Sequence, residues 1–253
     1  MNWRLSRWTC ATALAALCSF AQAQPPAPRI VLVQPSGPTV AANMLRFSIR
    51  FASRIGDPVL PRLALLRADG SRIDAPFLEQ ELWSPDGKVL TVLLHPGRVK
   101  RGLLARQELG PILSQGDGVV LMLDGRPIQR WSVGQVDEHG PIPSKWKISP
   151  VRAASRQALV VQLDAPIDGN GAGYLAVADR RGRRLAGQAR LKDGETVWTF
   201  TPAKPWPDDG SKLLVRGTLE DPAGNRLESR FESAIDSPPR LPADVELQFA
   251  TAR

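Results

Sequence analysis

Short apolar runs that alternate with polar residues most limit how this chain can fold. Residues 45–51 read LRFSIRF, so the apolar side chains fall on one face of an extended strand and the polar ones on the other. Similar runs occur at residues 30–33, 63–66, 89–94, 119–123, 159–163, 174–177, 197–201 and 213–219. The 21 glycines and 23 prolines punctuate these runs, a spacing typical of all-β sandwiches. Residues 103–109 are predicted to form a short helix.

The second half of the chain repeats the pattern of the first half, which predicts two related domains. Gly70 in RADGSRI has its counterpart 112 residues later at Gly182 in DRRGRRL. The offset is 108 residues between the strands that start at residues 89 and 197, and 92 residues between Gly118 and Gly210. The drop from 108 to 92 indicates an insertion in the first half, at about residues 95–113.

The segment GPIPS, residues 140–144, is predicted to join the two domains, because its prolines favour an extended, semi-rigid connection. The predicted organisation is a first domain at 24–139, this linker, a second domain at 145–236 and a tail at 237–253. Trp146 is predicted to begin the first core strand of the second domain. The tail contains VELQF, whose alternation would let it add an edge strand.

The first 23 residues have the layout of a secretory signal peptide. Arg4 and Arg7 precede an apolar run at residues 8–20, and the small-residue signal AQA ends at Ala23. The run is too short to span a bilayer, and no later segment is predicted to act as a transmembrane anchor. We therefore expect cleavage before Gln24, export from a bacterial cell, and a periplasmic or secreted location.

The charge and the cysteines fit an exported protein with ordinary packed cores. Cys10 and Cys18 both lie in the predicted leader, so the mature chain would contain no thiol and no disulfide. The leader also carries two arginines and no acid, and its loss lowers the net charge from +8 to +6. Because basic and acidic residues are interspersed, this charge is typical of a solvated surface.

Three segments resemble bacterial Ig-like domains of the surface-layer type. Residues 219–226, LEDPAGNR, are similar to the turn that joins the two closing strands of those domains. Residues 45–51 are similar to one of their early strands. Residues 90–103, LTVLLHPGRVKRGL, resemble a segment of exported bacterial proteins of unknown function with tandem Ig-like domains. The resemblance spans most of residues 30–236 and implies two tandem Ig-like sandwiches, but it implies no activity, because that fold hosts many functions.

The sequence lacks the motifs of several enzyme and cofactor classes. No Gly-x-Ser-x-Gly elbow, Walker loop or Gly-x-Gly-x-x-Gly pattern occurs. The histidines and methionines after the leader, His95, His139, Met44 and Met122, are scattered and predict no metal site. Residues 164–173 lack the alternating oxygen ligands of a calcium loop. We therefore predict no metal, no cofactor and no enzymatic activity.

One group of acids leaves a glycan-active enzyme open as an alternative. Glu79, Glu81 and Asp86 lie near Trp83, and an aromatic residue beside two carboxylates would suit a sugar-cleaving site. The other interpretation is that Trp83 packs in the sandwich while the acids stand on exposed strand faces.

The insertion contains the candidate partner-binding residues Arg98, Lys100, Arg101 and Arg106. Their cations would face carboxylate or phosphate groups, with leucines docking beside them. The alternative is that the leucines cover one end of the sandwich while the charges point to water. A second basic cluster, at residues 180–184, is predicted to be a solvated hairpin turn. It lacks interleaved aromatic residues, so we predict no nucleic-acid partner.

Taken together, these features predict an exported, non-catalytic Ig-like binding or structural module of the bacterial cell envelope. Its partner would be an envelope protein or a glycan. The alternative is a periplasmic chaperone that uses a two-domain Ig-like cleft and donates a strand to its client. An exposed apolar edge strand in the first domain, next to paired basic residues in the cleft, would favour that alternative.

Overall fold

The computed structural model describes residues 28–208, 210–227, 229 and 242–252. The predicted leader and residues 237–241 of the predicted tail lie outside the described residues. The strands are β1 (Ile30–Gln34), β2 (Thr39–Val40), β3 (Arg46–Phe51), β4 (Leu63–Arg67), β5 (Leu82–Trp83), β6 (Val89–Leu93), β7 (Gly118–Leu123), β8 (Arg126–Val133), β9 (Lys147–Ile148), β10 (Val151–Arg152), β11 (Leu159–Gln162), β12 (Leu175–Asp179), β13 (Gly187–Lys192), β14 (Val197–Pro202), β15 (Ser211–Val215), β16 (Val245–Phe249) and β17 (Thr251–Ala252). The α-helices are α1 (Pro96–Val99) and α2 (Leu104–Leu109), and 3-10 helices lie at Leu60–Arg62, Pro143–Lys145 and Gly171–Tyr174.

The first half of the chain forms a sandwich of two four-stranded sheets, with strand orders β1-β3-β6-β5 and β2-β8-β7-β4. The alternation of β3 turns Phe47, Ile49 and Phe51 into a core where each is almost completely buried. Leu121 of the opposite sheet is buried in the same core. Burial of one such side chain contributes about 1.5–3 kcal/mol, so this apolar face determines which way the strands lie.

The second half forms a second sandwich, with strand orders β13-β14-β11-β9 and β12-β15-β16, and a short parallel pair β10-β17. Trp198 and Trp206 are its largest fully buried side chains. Trp146 belongs to this second core, as the sequence predicted, and its Nε1 donates a hydrogen bond of 2.7 Å to Asp164. The predicted all-β fold of two tandem Ig-like sandwiches is therefore confirmed.

The internal repeat is visible in matching hydrogen bonds. In the first domain, the Ile73 amide donates to the Leu65 carbonyl at 2.9 Å. In the second domain, the Leu185 amide donates to the Val177 carbonyl at 2.8 Å. Both residues of the second pair lie 112 residues after their counterparts, which is the offset between the two glycine turns. The two domains therefore share strand register at this edge.

The connection from β15 to β16 differs from its counterpart in the first domain. The chain passes from β7 to β8 through two residues, whereas residues 216–244 separate β15 from β16. Strand pairing places Val119 opposite Trp131 and Ser211 opposite Phe249, so the second domain has 26 additional residues between these strands. VELQF, residues 245–249, pairs along its whole length with β15.

The LEDPAGNR turn lies inside this connection. A bridge between Glu220 and Arg226 closes the turn, but the strand that pairs with β15 begins only at Val245. The turn therefore does not join the two closing strands, as the resemblance implied. Gly and Asn mark the turn itself through their backbone preferences, but they carry no information on which strands pair around it.

Candidate functional site

The insertion between β6 and β7 folds into two short helices, α1 and α2. Pro96 occupies the first position of α1, where its fixed φ suits a helix start. Gly110 ends α2 with a φ of 73°, a conformation that favours glycine. The predicted helix at residues 103–109 matches α2 to within one residue.

Arg98 lies inside the insertion and is only 3% exposed. Its guanidinium donates to the carbonyl of Gly110 at 3.0 Å, to those of Ala75 and Leu109 at 3.2 and 3.3 Å, and to that of Asp74. Burial, followed by the positive charge of nearby Arg67, lowers the pKa of Arg98. The side chain thus ties the insertion to the segment before β5 and satisfies carbonyls that would otherwise be buried without a donor.

The four predicted partner-binding residues separate into an inner and an outer pair. Arg106 donates to the carbonyls of Arg98 and Val99, at 2.7 and 2.9 Å, and so holds the end of α1. Arg101 is exposed and lies 3.8 Å from Glu138, and Lys100 is half-buried. Arg98 and Arg106 therefore organise the insertion, while Lys100 and Arg101 lie closer to the surface.

The leucines of the insertion face solvent. Leu103, Leu104 and Leu109 are 42%, 66% and 58% exposed. Instead of these leucines, Ile112 and Leu113 belong to the first core. Exposed apolar side chains clustered on one small element are typical of surfaces that contact a partner.

The acids near Trp83 make local structural hydrogen bonds. The Glu81 carboxylate accepts from Trp83 Nε1 at 2.7 Å and from the amides of Val59 and Leu60, both at 2.6 Å. These contacts link β5 to the segment that precedes β4. Asp86 similarly accepts from the Ser84 hydroxyl and the Lys88 amide, at 2.6 and 3.2 Å. Glu81 and Asp86 therefore have structural roles here.

The second basic cluster forms a hairpin turn around Gly182, whose φ is 82°. Asp179 accepts from the Arg181 and Arg183 amides, both at 2.9 Å, and from Arg183 Nε at 2.8 Å. The Arg183 backbone hydrogen bond is the main cause that lowers the pKa of Asp179. An aspartate two or three residues before glycine thus fixes the turn, as Asp69 does beside Gly70 in the first domain.

Polar side chains connect the two domains at three places. At the first, Glu195 is almost fully buried and accepts from Gln34 Nε2 at 3.1 Å, and from the Ser36 amide and hydroxyl at 2.8 and 2.7 Å. At the second, Arg46 Nε donates to Asp168 at 2.7 Å and Arg46 Nη2 donates to Glu220. Charge-assisted hydrogen bonds of this kind are stronger than neutral ones.

The third contact is made by the LEDPAGNR turn. The Pro222 carbonyl accepts from the Leu45 amide at 2.8 Å. Asn225 Nδ2 donates to the Asp137 carbonyl at 3.1 Å and to Asp221 Oδ2 at 2.8 Å. Burial raises the pKa of Asp221 to about 7, although the Asn225 hydrogen bonds oppose the shift. The turn thus docks on the first domain through a buried ionisable group.

Sequence reasoning did not identify this junction. Its residues come from separate strands and loops, and each one looks like an ordinary polar position in its own segment. The mismatch in strand spacing after β15 was the available signal, because 26 unmatched residues need a surface of their own.

No protein-family profile matches this chain, and no curated protein matches it. Solved structures match at low similarity. An L,D-transpeptidase from Mycobacterium smegmatis has a TM-score of 0.28 and 11% identity, over 65% of this chain and 61% of that chain. SGBP-B from a complex xyloglucan utilization locus in Bacteroides uniformis has a TM-score of 0.26 and 13% identity, over 75% and 46% of the two chains. Domains 5–6 of the S-layer protein SbsC have a TM-score of 0.25 and 11% identity, over 89% and 100%.

Similarity at this level assigns no activity to the chain. The chain spans less than two thirds of the transpeptidase and less than half of SGBP-B. Within the described residues, no helix has the length and apolar character needed to cross a membrane.

Proposed function

We propose that this protein is an exported, non-catalytic binding module of the bacterial cell envelope, and that its insertion docks a protein partner. The observation that carries the proposal is the inverted layout of the insertion. Arg98 is buried and fixes the backbone, while Leu103, Leu104 and Leu109 face solvent. A loop fixed before binding loses less conformational entropy when it docks.

The charge of the insertion indicates the kind of surface that would fit it. Residues 95–113 carry four cations, Arg98, Lys100, Arg101 and Arg106, against one acid, Glu108. Complementary potentials steer association and exclude wrong partners. The partner surface that fits best is an apolar patch with an acidic rim, which favours an envelope protein over a neutral glycan at this site.

The chaperone alternative has less support. The edge strand β1 does expose apolar side chains, Val31 at 58% and Leu32 at 38%. These two residues are neighbours at a register irregularity, so they do not form an alternating row. At the junction, Arg46 is already ion-paired with Asp168 and Glu220. A client strand would therefore have to displace these existing contacts.

Export is tested by the mass of the protein recovered from cells that express the whole chain. We expect the mass of residues 24–253. The variant Ala23→Arg places a large charged residue at the cleavage position and should keep the leader attached. Recovery of the wild-type protein with an intact N-terminus would contradict the export proposal.

Docking is tested by affinity capture from an envelope fraction of the source organism. The baits are the mature chain, a variant with Leu103, Leu104 and Leu109 changed to serine, and a control with Val31 and Val160 changed to serine. Val160 is 39% exposed on the second domain, so the control also removes surface apolar groups. We expect one protein to be retained by the wild type and the control and reduced about tenfold or more on the leucine variant.

Two outcomes of this capture would overturn the docking proposal. Equal recovery of the same protein on all three baits would place the binding site elsewhere. Recovery of no protein above an empty resin would indicate a structural role without a bound partner.

A further inference from the structure

Tyr174, the one tyrosine in the chain, stands between two adjoining pockets on the second domain. It ends the 3-10 helix Gly171–Tyr174, and it is 42% exposed. The larger pocket has a volume of about 300 Å³ and lies at the domain junction. The smaller pocket has a volume of about 120 Å³ and lies beside the outer face of the β12-β15-β16 sheet. We call the two pockets together the junction groove.

Both domains build the larger pocket. Arg46 and Thr91 come from the first domain, and Asn170, Thr218 and Glu220 come from the second. Pockets at domain interfaces are frequent ligand sites, and 300 Å³ is the lower end of their usual range. The groove is therefore of a size and at a place where small ligands bind.

Hydrogen bonds hold the charged lining of the larger pocket in place. Arg46 donates to Asp168 and Glu220, and Arg226 Nε donates to Glu220 at 2.9 Å. Asp168 also accepts from the Asn170 amide at 2.8 Å. Two cations thus face two carboxylates, so the pocket carries no net charge. The fixed groups would meet a ligand without having to be ordered first.

Donors and acceptors remain for a ligand. Within the described residues, Arg46 Nη1 makes no hydrogen bond, and the hydroxyls of Thr218 and Tyr174 make none either. Each carboxylate has about four lone-pair positions, of which Glu220 uses two, toward Arg46 and Arg226. Neighbouring donors and acceptors of this kind match the vicinal hydroxyls of a sugar ring.

The smaller pocket continues the same chemistry on the other side of Tyr174. Ala176 lies opposite Leu214 in the β12-β15 register, so the floor beside the ring is made of small and apolar side chains. Its rim carries Arg184 and Arg216 with Asp244 and Glu246, which again balance in charge.

These observations point to a ligand that is neutral, rich in hydroxyls and apolar on one face. A pyranose ring has these properties, because its axial C–H groups pack on an aromatic ring while its hydroxyls point sideways to polar groups. We propose that the junction groove binds a neutral oligosaccharide, with one sugar unit against Tyr174 and neighbouring units toward either pocket. This site is separate from the insertion, so it stands or falls independently of the docking proposal.

The test is calorimetric titration of the mature protein with three neutral tetrasaccharides, cellotetraose, maltotetraose and chitotetraose, and with acidic tetragalacturonate. We expect at least one neutral sugar to bind at concentrations below about 10 mM. Tyr174→Ala should weaken this binding about tenfold or more, since it removes the stacking surface. Tyr174→Phe keeps the ring and should stay within about threefold of the wild type.

Thr91→Val provides a second readout from the other domain. Thr91 Oγ1 accepts a hydrogen bond of 3.3 Å from Asn170 Nδ2, and valine has the same shape without this acceptor. We expect a measurable loss of affinity with an unchanged melting temperature. The proposal is overturned if no neutral sugar binds, if Tyr174→Ala binds as well as the wild type, or if tetragalacturonate is the preferred ligand.

Discussion

Replacing Arg98 with alanine should lower the free energy of unfolding by about 3 kcal/mol, because it leaves buried backbone carbonyls without donors. Arg98 donates to carbonyls in two segments, Asp74 and Ala75 on one side and Leu109 and Gly110 on the other. Chemical denaturation monitored by tryptophan fluorescence measures the change.

Arg101 provides the matched control in the same insertion. Its side chain is 58% exposed, and it lies 3.8 Å from Glu138. Arg101→Ala should change the free energy of unfolding by no more than about 0.5 kcal/mol. Arg98→Lys should be intermediate, since a lysine keeps the charge but lacks the planar fork that reaches both segments. Equal losses at Arg98 and Arg101 would mean that the buried hydrogen bonds of Arg98 do not hold the insertion.

The stability of the protein should decrease as the pH rises from about 4 to above 7, and Asp221 should cause much of this decrease. Burial raises the pKa of Asp221 to about 7 in the folded state, whereas an unfolded aspartate titrates near pH 3.9. Below about pH 4 the carboxyl is protonated in both states, so its contribution is fully present. As the pH rises through 7, the folded state must either keep the proton or bury a charge. The difference corresponds to about 3–4 kcal/mol.

The variant Asp221→Asn cannot titrate, and its stability should be nearly flat over the same pH range. Urea denaturation at several pH values between about 4 and 8 gives the two curves. Asp57→Asn, at an exposed position of the first domain, should keep the slope of the wild type. Parallel curves for the wild type and Asp221→Asn would show that Asp221 does not govern the pH dependence.

The strands and the repeat were predictable from sequence because both depend on local patterns. The alternation in residues 45–51 gave the buried face of β3, and the glycine turns gave the 112-residue offset that the Leu65 and Val177 hydrogen bonds reproduce. The insertion was also predictable, since an offset that falls from 108 to 92 leaves residues that no strand of the repeat can use.

The roles of single residues in the insertion and at the junction were less accessible. Arg98 looks like one member of a basic cluster in sequence, but the fold buries it because the surrounding carbonyls need donors more than the guanidinium needs water. Glu195 and Arg46 gain their partners only when the two domains meet. Contacts between distant segments leave no periodic trace, so composition and spacing do not reveal them.

The long connection between β15 and β16 also fixes the order in which the molecule is completed during synthesis. The last strand of the first domain ends at Val133, and Glu220 follows 87 residues later. Because domains fold as units from the N-terminus while the chain emerges, the first sandwich forms while Arg46 still lacks this carboxylate. A transcript cut short after Val215 would thus yield a folded first sandwich whose docking surface never receives its turn. The joining of the two halves is a step that only the C-terminal part of the chain can complete.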